Sequence, residues 1–130
     1  MDNLENYFDD QRASAKHSGL GIASFIIAML SILIYIGCFA IAFSVASQYI
    51  GEIITPEQFS QSEMGKLSAM VLLFFVGMLA NLTGIGLGIA GVVQKFRKKV
   101  FGTLGLIFNS LEFLGIVGLF IMGLAMNGAR

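Results

Sequence analysis

Three long runs without a charged residue dominate this chain. They lie between Lys16 and Glu52, between Lys66 and Lys95, and between Lys99 and Arg130, the last broken only by Glu112. Each exceeds the ~20 residues at which a helix crosses a hydrocarbon core of ~30 Å. Inside a bilayer the backbone must satisfy its own N–H and C=O groups, so such runs fold as helices. A water-soluble chain of 130 residues could not bury three of them, because a small domain leaves too much apolar surface wet. The expected fold is therefore an all-α membrane protein, a bundle of three transmembrane helices.

Charge excludes several functions. The chain carries eight basic and eight acidic residues and no net charge. No basic stripe interleaved with aromatics suggests a nucleic-acid partner. The single cysteine, Cys38, allows no internal disulfide and forms no metal constellation with the one histidine, His17. No cofactor or metal is expected. Ser44-Val45-Ala46 loosely resembles a signal cleavage site, and Tyr35-Ile36-Gly37-Cys38 a lipoprotein box. The apolar run is too long for a signal core and its polar leader too long as well. It is read as a retained helix.

The spacing predicts helices over about 19–50, 67–93 and 100–126. A polar tail, 1–17, precedes the membrane domain, 18–130, with room for a short helix. Gly51 is placed to cap the first span. In the connector 51–66, Thr55-Pro56-Glu57-Gln58 has the pattern of a helix start, with Thr as N-cap, Pro at the first position and Gln closing a capping box. The connector is expected to hold a short interfacial helix or an early start of the second span. A basic turn, 94–99, joins the second and third spans.

Lys/Arg asymmetry orients the bundle. With the N-terminus inside, Arg12, Lys16, Lys95, Arg97, Lys98 and Lys99 face the cytoplasm, leaving only Lys66 and Arg130 outside. The expected topology is N-in and C-out. Lys95, Arg97, Lys98 and Lys99 are then topology anchors or contacts for lipid headgroups.

Small and polar residues recur every three or four positions. The first span has Gly21, Ser24, Ala28, Ser31, Tyr35, Cys38 and Ala42. The second has Gly77, Asn81, Gly84, Gly88 and Gly91, and the third Gly102, Gly105, Asn109 and Glu112. A repeat averaging ~3.5 keeps one stripe of each helix toward its neighbours. In lipid, association relies on close packing, which small residues permit. Folding the glycine-rich hairpin at Phe96/Arg97 sets Gly91 against Gly102, Gly88 against Gly105, Gly84 against Asn109, and Asn81 against Glu112. The first span runs parallel to the third, and equal depth brings Ser31 near Glu112. The expected interior is dry and glycine-lined, with one polar layer of Ser31, Asn81, Asn109 and Glu112.

Glu112 lies ~18 Å from the basic turn at 1.5 Å per residue. That is near the midplane, where an ionised carboxylate is costly, so the side chain is expected to be protonated or hydrogen-bonded. It serves either as a proton or cation site or as an interhelical tie fixing register. The spans contain no second carboxylate or basic residue, which favours the tie.

Other motifs yield to plainer readings. Gly86-Leu87-Gly88-Ile89-Ala90-Gly91 matches a dinucleotide fingerprint, but no strand precedes it and the glycines lie within a span. His17 flanks the first span as a solvated residue, and Cys38 is a small packing residue. Tyr35 is assigned to the interior and Tyr49 to an interface. No nucleophile–base pair or phosphate loop occurs at usable spacing, so no enzymatic activity is expected.

Two segments, Gly19-Leu20-Gly21-Ile22-Ala23-Ser24-Phe25-Ile26-Ile27 and Gly84-Ile85-Gly86-Leu87-Gly88-Ile89-Ala90-Gly91, stand before the basic turn and Gly102-Thr103-Leu104-Gly105-Leu106-Ile107-Phe108-Asn109 follows it. Together, over about residues 18–115, they resemble the small bacterial membrane proteins of the domain-of-unknown-function 4190 kind. That resemblance implies a bacterial inner-membrane setting and no assigned activity; Glu57, Glu63 and Glu112 are not carried over from it. The hairpin alone is similar to the proton-carrying ring subunit of rotary ATP synthases. It departs from that subunit in lacking an Arg-Gln-Pro turn and in having an extra span, so only a geometric analogy remains. The expected role is non-enzymatic and exercised through helix–helix contacts, as an accessory subunit, small regulator or immunity-type protector. Its partners are the lipid bilayer and a second membrane protein or further copies of the chain. The alternative is a small oligomeric proton or cation conductor using Glu112.

Overall fold

The computed structural model describes residues 2–13, 16–51, 55–95 and 97–128. Glu52, Phe96 and Arg130, which enter the expectations above, lie outside the described residues, as does the side chain of Arg12. The elements are α1 (Asp2–Ala13), α2 (Gly19–Ala46), a 3-10 turn (Ser47–Tyr49), a second 3-10 turn (Pro56–Gln58), α3 (Gln61–Val93) and α4 (Val100–Gly128). The polar tail thus forms a helix over most of its length. Helices α2, α3 and α4 are each long and apolar enough to cross a membrane, and each packs on both of the others.

Local chemistry sets the helix ends. Ser18 caps α2, its Oγ accepting from the Gly21 N–H at 3.2 Å. The first span ends as α-helix at Ala46 and tightens into the 3-10 turn, beyond which Gly51 adopts φ 91°. That left-handed conformation is the one expected of a glycine closing a helical segment. Of the two expectations for the connector, the early start of the second span is the one observed, though not at Thr55-Pro56. Gln58 Oε1 does accept from the Thr55 N–H at 2.9 Å, yet only one 3-10 turn follows. The full capping box lies further on, at Ser60 and Glu63. Ser60 Oγ accepts from the Glu63 N–H at 3.2 Å, and Glu63 Oε2 accepts from the Ser60 N–H at 2.8 Å. With two orphan donors satisfied reciprocally, α3 starts at Gln61 rather than near Leu67, and its 33 residues extend ~50 Å. It is longer than a bilayer core is thick, so it tilts or protrudes.

The packing is inverted relative to a water-soluble bundle. The fully buried side chains of greatest volume are Asn81, Asn109, Ser18, Ser24 and Ser31, whereas the buried apolar residues are Ala28, Cys38 and Val45. Leu33, Phe39, Phe43, Leu72, Leu79, Leu111 and Phe120 are all more than half exposed. In water this arrangement would forfeit about 1.5–3 kcal/mol for each large apolar side chain left outside. In lipid it costs nothing, because the acyl chains are as apolar as leucine.

Candidate functional site

The three stripes expected from spacing form the interior. On α2, Gly21, Ser24, Ala28, Ser31 and Cys38 are buried and Tyr35 and Ala42 half-buried; on α3, Gly77, Asn81, Gly84, Gly88 and Gly91 are buried. On α4, Gly102, Gly105 and Asn109 are buried and Glu112 is half-buried. From the basic turn outward, the contacts between these stripes change character.

Nearest the turn, backbone meets backbone. The lead-in to α2 forms a parallel bridge between His17 and Lys98. The Lys98 N–H donates to Lys16 O at 3.1 Å, the Ser18 N–H to Lys98 O at 3.4 Å, and Ser18 Oγ to Gln94 Oε1 at 2.7 Å. Exposed His17 sets its ring edge-on to Phe101, centroids 5.0 Å apart. One turn deeper, a Cβ on Gly21 would stand 2.6 Å from Gly102 N, and one on Gly91 2.7 Å from Gly21 N. The Gly91–Gly102 pair therefore holds, and Gly21 makes it a three-way contact. The side chains of Lys95, Arg97, Lys98 and Lys99 around this end are exposed.

The next tier is polar. Ser24 Oγ donates to Gly84 O at 2.7 Å, while Asn109 Nδ2 donates to Ser24 O at 3.1 Å and to Gly105 O at 2.7 Å. The Asn109 amide occupies the space a Gly84 Cβ would take, as the register requires. The Gly88–Gly105 pair is modified: both glycines face the Ser24 hydroxyl, and Gly88 also abuts Leu106. Ser24 sits where the stripe places it, but its role as the three-helix junction was not legible from spacing.

A second polar tier surrounds Glu112. Ser31 Oγ donates to Glu112 Oε2 at 2.6 Å and lies 2.9 Å from Ala28 O. Asn81 does not hydrogen-bond Glu112 among the described contacts; its Nδ2 donates to Tyr35 Oη at 3.1 Å. The Tyr35 ring packs over Gly77, 3.0 Å from where a Cβ would stand, and Tyr35 lies within Coulombic range of Glu112. The single expected layer is thus two tiers, Ser24–Gly84–Asn109 and Ser31–Tyr35–Asn81–Glu112. Among the described residues, three buried acceptors have no hydrogen-bond partner: Asn81 Oδ1, Asn109 Oδ1 and Glu112 Oε1. Among buried polar atoms such orphans are few and call for a physical reason.

Beyond this tier, Cys38 Sγ lies 3.6 Å from Met70 O. The α2–α3 pair closes where Glu63 Oε2 accepts from Tyr49 Oη at 3.0 Å and Ser60 Oγ at 2.7 Å, with the Tyr49 and Phe59 rings 5.3 Å apart. Among the described residues no three His, Cys, Asp or Glu side chains come together to hold a metal ion. The chemistry the interior offers is oxygen ligation and proton exchange at one carboxyl. No family model, curated protein or solved structure matches the chain.

Proposed function

We propose that this protein works through helix–helix contacts within a bacterial inner membrane, without enzymatic turnover, as an accessory subunit, small regulator or immunity-type protector. The observation that supports this is the free half of α4. Every residue from Gly118 to Met126 is exposed, and a Cβ on Gly115, Gly118 or Gly123 would meet nothing within 4 Å. The other half of the helix has spent its glycines on α2 and α3. Small residues on an open apolar helix allow the close backbone approach that membrane helices use to associate. A photoreactive phenylalanine analogue at Phe120, irradiated in native membranes, should give one discrete protein adduct that Gly118→Phe abolishes. Adducts with lipid alone would refute the proposal.

The basic turn and N-terminus are assigned to the cytoplasm and the connector to the opposite side. The Lys/Arg bias supports this, and the His17–Lys98 bridge supports one shared face for Lys16 and the turn. An impermeant thiol reagent applied to intact cells should label Gln58→Cys and spare Lys98→Cys. The reverse pattern would invert the topology.

A second reading, an oligomeric proton or cation conductor, is favoured by the orphan Oε1 of Glu112 inside a span. It predicts flux in proteoliposomes that Glu112→Gln eliminates. Flux at the empty-vesicle level for the parent protein would dispose of it.

A further inference from the structure

We infer that the Ser31–Tyr35–Asn81–Glu112 tier is a reversible proton-binding site that ties the three helices together, with Glu112 Oε1 as the protonated atom. This goes beyond the helix-contact reading and holds whether or not the protein conducts. The support is the pattern of hydrogen-bond donors and acceptors. One carboxyl oxygen, Oε2, takes the Ser31 hydroxyl at 2.6 Å. The other, Oε1, is buried and unpartnered, and so are the carbonyl oxygens of Asn81 and Asn109. All three are acceptors, and both asparagines are fully enclosed.

A carboxylate offers only acceptors, whereas a carboxylic acid gains one O–H donor. A proton on Oε1 therefore replaces a buried, unsatisfied acceptor with a neutral hydroxyl. Asn81, the expected register partner of Glu112 on α3, bonds Tyr35 instead, and the Asn109 amide faces Gly84, so among the described contacts neither donates to Oε1. Tyr35 Oη accepts from Asn81 Nδ2, which joins α3 to this tier. No new molecule is needed: the proton joins Glu112 from water and returns to it, with no bond broken elsewhere.

Few ionisable groups share the spans with Glu112. On α2 they are Tyr35, which interacts electrostatically with Glu112, and Cys38, whose Sγ lies against Met70 O one turn further from the basic turn. The spanning part of α3, 67–93, has no ionisable side chain, and α4 has Glu112 alone. Loss of the proton would leave an uncompensated carboxylate inside the span, an expensive state, so protonation and the closed three-helix arrangement stabilise each other.

The test uses a lipid-soluble carbodiimide, which adds to protonated carboxyls, applied to the full chain in vesicles with mass-spectrometric readout. Half-buried Glu112 should be modified in acidic buffer and progressively spared as pH rises, along a single-proton curve. Glu112→Gln should lose the adduct. Ser31→Ala removes the donor to Oε2, which favours the ionised form, so modification should persist into more alkaline buffer. A Ser31 with only a packing role would leave the curve in place. Infrared absorption of a protonated carboxyl, present in the parent protein and missing from Glu112→Gln, checks the same point without a reagent. Adduct yield independent of pH, or suppressed by sodium at constant pH, would overturn the proposal, the latter reassigning the site to a metal cation.

Discussion

The two ends of this bundle are held by different means. At the basic turn, Gly21, Gly91 and Gly102 bring three backbones within van der Waals contact, and the α2 lead-in is bonded to the turn itself. At the opposite end, among the described residues, α2 and α3 are joined by the Tyr49–Glu63 hydrogen bond beside buried Val45, while α4 runs on exposed from Gly118. The same helix contains glycines in both regions. Those at 102 and 105 are spaced to continue a stripe that the other two helices complement, whereas those at 115, 118 and 123 face no neighbour. Glycine content therefore does not hold membrane helices together; matched glycine seams do.

Substitution at the two ends should separate them sharply. Gly91→Leu should cost about 3 kcal/mol or more, because its Cβ meets Gly21 backbone that no rotamer change can move. Gly115→Leu should cause no loss in the detergent-denaturation midpoint, only the small gain in helix propensity open to any unpacked glycine. Equal losses at both positions would show that the far half of α4 is packed as tightly as the near half. Next in size is Asn109→Leu, which removes the donor to Ser24 O and Gly105 O and should lower stability by about 1 kcal/mol in the same titration. Ser60→Ala should cost a similar ~1 kcal/mol by breaking the capping box. Its signature should be local, with faster amide exchange in the first turn of α3 and none at Gly91. Smallest is Gly123→Ala, expected to raise stability by about 0.5–1 kcal/mol through helix propensity alone. A loss there would mean that a partner or a second copy already fills the space.

Much of the near end could be read before any coordinates. Alternating threes and fours of small residues can only form a seam if the chain is helical, and a short turn fixes the antiparallel register. The pairings of Gly91 with Gly102, Gly84 with Asn109 and Ser31 with Glu112 follow from those two facts. What escaped was directional. Ser24 and Tyr35 lie on the stripe, yet spacing does not say which group a hydroxyl will choose, so the junction at Ser24 and the pairing of Tyr35 with Asn81 could not be read from it. The start of α3 escaped for another reason. Thr55-Pro56-Glu57-Gln58 and Ser60-Gln61-Ser62-Glu63 both fit a capping pattern, and only the second is followed by an uninterrupted helix. The opening of the far end was hidden because an exposed glycine and a packed one look alike in a sequence.

The bridge between His17 and Lys98 closes a contact between parts of the chain that are made far apart in synthesis. Ser18, Ser24 and Ser31 find their partners 76, 85 and 81 residues along the chain, at Gln94, Asn109 and Glu112. During synthesis the N-terminal helix enters the membrane first, so α2 must reside there with an unfulfilled polar stripe until the hairpin arrives. A first partner, Gly84 for the Ser24 hydroxyl, comes with α3, and the stripe is complete only when α4 and the stitch at the basic turn are in place.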